Sequence, residues 1–376
     1  LQIIIQSVDS MGQLYWSLYE AIKAAPSSLR IVLLSATPMF DKPVEVALTM
    51  NLLRLPVELP IGREFETMFV KHRKVSNGKI MYKAQNLDLF KQMIKGYVSY
   101  YSGAPPKAFP DKIVKYVKCK MEPFQYKSYL TVVSDEDVAS DGSRLKSVKK
   151  KIFKEGGIIE LPNNFFIGSR IISNVAFPNK GINEDGFVSF QGKYVKPPLL
   201  QQYSQKFYRM MRKIKRCQGT VFVYSNFKEY GGIKSFAKVL EGQGYKEYAT
   251  HKSGRKRYAL WSGDESTEQK DEIREIFNHK KNSKGEKLKI LLGSPSIKEG
   301  VSLLRVQEVH IIEPYWNQSR VDQVIGRAIR FCSHKDMPLD KRLVKVYIYI
   351  AVSPKGDETI DQYIQFLSKR KNRVVK

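Results

Sequence analysis

The chain has 376 residues, 42% of them hydrophobic, with 64 Lys and Arg against 37 Asp and Glu, a formal charge of +27. That apolar content excludes a disordered chain, and no apolar run approaches the roughly 18 residues of a membrane-crossing helix. The charge points to a polyanionic partner, because each Lys or Arg that meets a phosphate releases a condensed counterion; a general solubility excess is the plainer alternative.

Residues 1–65 read as the end of an α/β unit. A helix is expected over 13–25, a short apolar strand over 30–34, and a second helix over 44–53 that Leu55-Pro-Val-Glu-Leu-Pro60 ends. Residues 66–133 are mixed: a Tyr-rich stretch at Gly96-Tyr-Val-Ser-Tyr-Tyr-Ser102, a Pro-broken linker over 104–110, a strand over 113–121 and a helix over 124–132. Residues 134–198 are the least regular. The acidic patch Ser134-Asp-Glu-Asp137 precedes a basic run (Arg144, Lys146, Lys149, Lys150, Lys151, Lys154), and the whole reads as a partly mobile insertion. Its basic run is either a solvated face or a nucleic-acid contact.

From residue 199 the pattern is regular: a basic amphipathic helix over 199–216, then strands at 220–224, 258–261, 289–292, 308–312 and 344–351. Helices are expected between and after them at 232–241, 267–277, 319–331 and 359–369. Short apolar strands alternating with helices specify an α/β fold, a mostly parallel sheet covered on both faces.

The strongest chemical signal is Gln323-Val-Ile-Gly-Arg-Ala-Ile-Arg330. At 3.6 residues per turn, Gln323, Arg327 and Arg330 share one arc while Val321, Val324, Ile325, Ala328 and Ile329 take the opposite side. Two guanidiniums and an amide aimed outward suit a nucleotide phosphate, because Arg donates two parallel hydrogen bonds to phosphate oxygens. An ordinary basic amphipathic helix is the bland alternative. Gly326 weakens the helix by about 1 kcal/mol relative to Ala, which a close approach by another backbone or a ligand would explain.

Other strings stand in a telling order. Leu33-Leu-Ser-Ala-Thr-Pro38, Val221-Phe-Val-Tyr-Ser-Asn226 and Lys289-Ile-Leu-Leu-Gly-Ser-Pro-Ser-Ile-Lys-Glu-Gly-Val-Ser-Leu303 each follow or contain an expected strand. Together with Trp316-Asn317 and the 323–330 segment they resemble motifs three to six of superfamily 2 helicases of the Swi/Snf-like branch. Ala36-Thr-Pro-Met-Phe-Asp-Lys-Pro43, Ser99-Tyr-Tyr-Ser-Gly103, Ile171-Ile-Ser-Asn-Val-Ala-Phe-Pro178 and Gly326-Arg-Ala-Ile-Arg-Phe-Cys-Ser-His-Lys-Asp336 narrow it further. They are similar to the helicase-like NTPases of large nucleocytoplasmic DNA viruses, the nucleoside triphosphatase I and early transcription factor small subunit group.

The resemblance implies two RecA-like lobes, with residues 1–110 the end of the first lobe and a linker, 111–198 the start of the second with an insertion, and 199–376 its remainder. It implies ATP and Mg²⁺ as cofactors and Arg327, Arg330 and Gln323 as catalytic groups. Gly326, Ser294, Glu299 and Gly300 would sit by the nucleotide, and Ser35 and Thr37 would couple hydrolysis to lobe movement. Asn226 and Ser296 would touch the phosphodiester backbone. The implied partners are nucleic acid, DNA before RNA, and viral RNA polymerase or transcription factor subunits, with no membrane. The implied setting is a cytoplasmic virus factory or virion.

Several features run the other way. The 376 residues contain no Gly-x-x-x-x-Gly-Lys-Ser/Thr loop and no Asp-Glu pair at a strand end before Ser35. Leu1-Gln-Ile-Ile-Ile5 reads as the strand that would carry those acids, but Gln6-Ser7 follows, and the chain opens without Met, as a fragment would. Alone it is expected to hydrolyse ATP negligibly. The rival is a non-catalytic nucleic-acid-binding or scaffold protein that kept the fold. Cys119, Cys217 and Cys332 are isolated and form no zinc-site spacing with the five histidines, which suits a reducing compartment. Trp316 is expected in the core rather than as a stacking platform. The basic runs 252–257 and 369–373 are either DNA contacts or solvated segments.

Overall fold

The computed structural model describes residues 13–35, 38–39, 43–74, 80–100, 105–139, 166–298 and 301–375. In chain order its strands are β1 (Val70–Lys74), β2 (Ile80–Ala84), β3 (Asp111–Lys120), β4 (Thr220–Tyr224), β5 (Lys246–Glu247), β6 (Arg257–Trp261), β7 (Ile290–Gly293), β8 (Val306–Ile311) and β9 (Leu343–Val352). An antiparallel hairpin joins β1 and β2, which the sequence reading missed. The other seven make one sheet in the order β3-β9-β8-β4-β7-β6-β5, every pair parallel.

Alternation along these strands feeds two cores. Phe222, Leu291, Val346 and Ile348 point to one face, where Val321, Val324, Ile325 and Ala328 pack. Val221, Val223, Ile290, Leu292 and Tyr349 point to the other, against Phe207, Met210, Phe236 and Leu240. Burial on both faces is why the central strands are continuous apolar runs. The α/β expectation therefore holds, with helices covering both sides of a parallel sheet. The outer strand β3 is largely exposed and carries Lys112, Lys115, Lys118 and Lys120, which protect an edge from pairing.

Chain order reverses around β4. The chain first winds out to β5 and back to β7, then crosses to β8 and β9. Such a switch opens a crevice beyond the carboxyl ends of the neighbouring strands, and the loops after β4, β7 and β8 converge there.

Four expectations need correction. Residues 30–34 form no strand: Val32 and Leu34 are 78% and 89% exposed, and the segment has no ladder partner among the described residues. The helix over 199–216 is two helices, Leu200–Tyr203 and Gln205–Ile214, because Ser204 is extended and caps the second by accepting from the Phe207 N–H at 3.0 Å. Residues 166–198 are no mobile insertion, since Ile172, Val175, Phe177, Phe190 and Val195 are buried core. Nor does the last helix stop near 369, running instead over Ile360–Val375. The basic run 144–154 lies outside the described residues.

A buried polar network closes the carboxyl end of the sheet. Lys206 Nζ lies 2.6 Å from Asp361 Oδ2 and donates to Asn174 Oδ1 at 2.8 Å. Asn174 Nδ2 donates to the Gly231 carbonyl at 2.9 Å and to Glu313 Oε2 at 3.1 Å. Glu313 also accepts from Ser225 Oγ at 2.9 Å, from the Asn226 N–H at 2.5 Å and from Asn226 Nδ2 at 3.1 Å. Asp361 Oδ2 accepts from the Ala351 N–H at 2.8 Å, which ties in β9. Burial pushes the Glu313 carboxyl above its usual range, although its hydrogen-bond donors and the Lys206 and Arg170 cations pull the other way.

Two outcomes follow from this arrangement. Lys206→Met leaves Asp361 buried without its cation and should lower urea-denaturation stability by about 3–5 kcal/mol; a loss under about 1 kcal/mol would show the pair to be dispensable. Because the folded Glu313 pKa is raised, its contribution is fully present below the unfolded carboxyl value and is lost as pH rises through the folded one. Glu313→Gln, which mimics the protonated acid, should therefore gain on the wild type between pH 4 and pH 7 in paired urea melts. A difference moving the other way would mean that the donors outweigh burial.

Candidate nucleotide and nucleic-acid site

The segment singled out in the sequence forms the helix Gln318–Ala328, capped by Asn317, whose Oδ1 accepts from the Arg320 N–H at 3.3 Å. Val321, Val324, Ile325 and Ala328 are buried as expected, and Gln323, Gly326 and Arg327 are half-buried. Gly326 meets no close backbone: a Cβ added there finds nothing within 4 Å among the described residues. No backbone among the described residues accounts for this glycine.

Arg330 does not share the helical arc. The helix ends at Ala328, and Ile329 leaves it at φ −112°, ψ 84°. The end is set by its neighbours. The Arg327 carbonyl accepts from the Leu303 N–H at 2.9 Å, and Ser333 Oγ accepts from the Arg330 N–H at 3.3 Å. The Arg330 side chain turns back, donating Nη1 to Ser302 Oγ at 2.5 Å and Nε to the Gly326 carbonyl at 3.3 Å. Segment 301–303 and the end of the Gln318–Ala328 helix are thereby joined through both backbone and side chain. Ser302 was not foreseen; only its place after Gly300-Val301 marked it.

The remaining candidates divide. Ser294 is buried at the end of β7, its N–H donating to the Trp261 carbonyl at 3.0 Å, so its role is to hold the loop. Ser296, 3.3 Å away between hydroxyls, is exposed, and its Oγ donates to the Trp261 carbonyl at 3.4 Å. Asn226 is half-buried, with its N–H and side-chain amide both committed to Glu313 and its Oδ1 accepting from Tyr224 O–H at 3.2 Å. Ser35 is exposed, while Thr37, Glu299 and Gly300 lie outside the described residues. Trp316 is core, 5% exposed, stacked on Tyr315 at 4.1 Å with the buried Arg170 guanidinium 4.9 Å from its ring centre.

The basic loop 252–257 is partly answered at home, with Lys252 on Glu272 at 3.1 Å and Arg255 near Glu286 at 3.7 Å. Sequence reasoning also missed Glu313, Asn174, Lys206 and Arg170, the groups that position the crevice. A Glu directly after a strand of a parallel sheet was the available signal. Its partners lie 87 to 139 residues away in sequence, and no local pattern joins them.

Among the described residues no group of three His, Cys, Asp or Glu could hold a metal ion, so Mg²⁺ finds no ligand set there.

The helicase conserved C-terminal domain matches residues 204–332. A protein of Acanthamoeba polyphaga mimivirus provisionally named an ATP-dependent RNA helicase is 50% identical over 96% of this chain and 61% of its own length. A termination factor NPH-I homologue of African swine fever virus is 30% identical over 92% of this chain and 55% of its own. The chain thus spans roughly three-fifths of the curated relatives it matches. The Sulfolobus solfataricus SWI2/SNF2 ATPase core in complex with dsDNA aligns over 71% of this chain and 46% of its own, at 18% identity and a TM-score of 0.43, too loose a likeness to build on. The matched domain makes residues 204–332 a helicase conserved C-terminal domain, in a chain similar along nearly its whole length to helicase-type proteins of large DNA viruses.

Proposed function

We propose that the chain supplies the second lobe of an ATP-driven nucleic-acid translocase, acting on DNA in viral transcription. The observation that carries this reading is the Arg330–Ser302 hydrogen bond beside Arg327 and the open space at Gly326. It ties the segment expected to track the nucleic-acid backbone to the segment expected to sense the nucleotide. In this reading Arg327 and Arg330 donate to the terminal phosphate when the lobes close. Gln323 orients groups on the same side, and Ser296 lines the track, while Asn226, held by Glu313 and Tyr224, braces the loop beside it. The phosphate loop and the Mg²⁺ carboxylates come from other residues, because the described ones offer neither. Residues 1–110 belong to the first lobe and the linker, and the rest to the second.

The charge of +27 supports a polyanionic track. The choice of DNA over RNA, and of virus factory or virion as the setting, rests on the resemblance to the DNA-virus group. The exposed Ser296 makes a contact that positions a backbone without reading its sequence.

In a form of the protein that includes a phosphate-loop lobe, nucleic-acid-stimulated ATP turnover should fall by about two orders of magnitude or more in Arg327→Ala, the scale of an arginine finger. Steady-state ATPase assays with duplex DNA, single strands and RNA measure it and rank the tracks together. Turnover unchanged in Arg327→Ala would remove the finger, and no turnover in the unsubstituted protein would leave the non-catalytic binding protein as the better account.

A further inference from the structure

The opposite end of the sheet holds a second basic site that the translocase reading does not use. A cleft of about 770 Å³ opens at the amino ends of β4 and β8, beside Gly219 and Gln307. Its lining carries Lys280, Lys284, Arg305 and Lys341 against a single carboxylate, Asp336. That carboxylate is already engaged, with Arg305 Nη1 at 3.0 Å and Lys280 Nζ at 3.9 Å. Lys284 and Lys341 are exposed and have no ion-pair partner among the described residues.

The walls are rigid. On one side, the loop 279–288 is pinned by Asn282, which is fully buried. Its Nδ2 donates to the carbonyls of Phe277 at 3.1 Å and Leu288 at 2.9 Å, and its Oδ1 accepts from the N–H groups of Lys287 and Leu288 at 2.9 and 3.0 Å. On the other, buried Arg305 donates to the Asn278 carbonyl as well as to Asp336. Buried His334 sits 2.8 Å from the Val306 carbonyl and 2.9 Å from Ser333 Oγ. Lysines fixed on two facing walls lose less freedom on meeting a ligand than lysines on a mobile tail.

We infer that this cleft grips the phosphodiester backbone of a nucleic-acid strand, as a contact separate from the track at the carboxyl end. Ammonium groups are point charges that suit phosphate oxygens without fixing a base. Stacking platforms would be needed to hold single-strand bases, and among the described residues no aromatic side chain lines the cleft. Recognition here is therefore of backbone charge, independent of sequence. Two ends of one lobe that both bind nucleic acid would let the protein hold a second segment of the same molecule, or a product strand, while the other end follows the track. The inference needs neither ATP nor the arginine assignments, so it stands or falls apart from them.

The test is fluorescence anisotropy of the whole chain with a labelled 20-base-pair DNA duplex and a 20-nucleotide RNA, without nucleotide, across 50 to 200 mM salt. Lys284→Glu with Lys341→Glu should raise Kd for at least one probe by about tenfold or more and flatten the log–log salt slope by about two. Both lysines are exposed and unpaired, so folding is preserved and circular dichroism confirms it. Lys127→Glu with Lys196→Glu, two exposed lysines elsewhere, should change Kd by less than about threefold. The duplex and RNA arms identify which strand the cleft takes. Equal losses from both double variants, or none from the cleft variant, would overturn the assignment. So would a polyglutamate peptide that binds the cleft in preference to both probes, which would make the partner an acidic protein segment.

Discussion

Glu313 ends the strand beside β4 with a carboxylate sealed away from water, and the crevice is built around meeting its needs. Each donor reaches it from a different part of the chain: Asn174 from the Ile167–Asn174 helix, Ser225 and Asn226 from the turn after β4. Lys206 and Asp361 extend the same network to the Gln205–Ile214 helix, the Ile360–Val375 helix and β9. Taking ions out of water costs several kcal/mol each, and they persist only where their remaining hydrogen bonds are made. A shift of any one of these elements would strand a charge. The loops at the carboxyl end are thus bound to move together.

The helix that carries Arg327 hangs from this frame. Its apolar side packs on one face of the sheet, and its Arg327 carbonyl is taken by the Leu303 N–H from the segment after β7. Ending the helix at Ala328 lets Arg330 fold back onto Ser302, apart from Arg327. A continuous helix through 330 would have aimed both outward and left the two segments unconnected. The amino end of the same sheet is closed by a different device, Asn282 and Arg305 pinning two loops, and there the basic charge faces an open cleft.

Much of this was legible beforehand in particular residues. Thr220–Tyr224 reads as a strand because five consecutive residues suit burial on both faces, and it is one. Ser266 and Gln269 form a capping box that starts the Thr267–Asn278 helix where expected. The errors share a cause. Arg30–Leu34 has strand propensity, but a strand exists only where another strand pairs with it. Residues 166–198 look polar and broken, yet they are buried because β3 and β9 place their helices against the core. Arg330 was put on the wrong arc because the contact that ends the helix comes from Leu303, far away in sequence.

The sequence by itself determined the alternation of strands and helices, the parallel sheet, the apolar side of the Gln318–Ala328 helix and the sign of the chain's own charge. These follow from period, from propensity and from net composition, which are local or summed quantities. Only the tertiary structure decided which polar groups are spoken for. Asn226 and Ser294 proved to be held inside while Ser296 remained outside; Arg330 was tethered, and lysines from two separate loops came to face one cleft. Those outcomes depend on distances between residues remote in the chain, and such distances exist only once the sheet has brought its ends together.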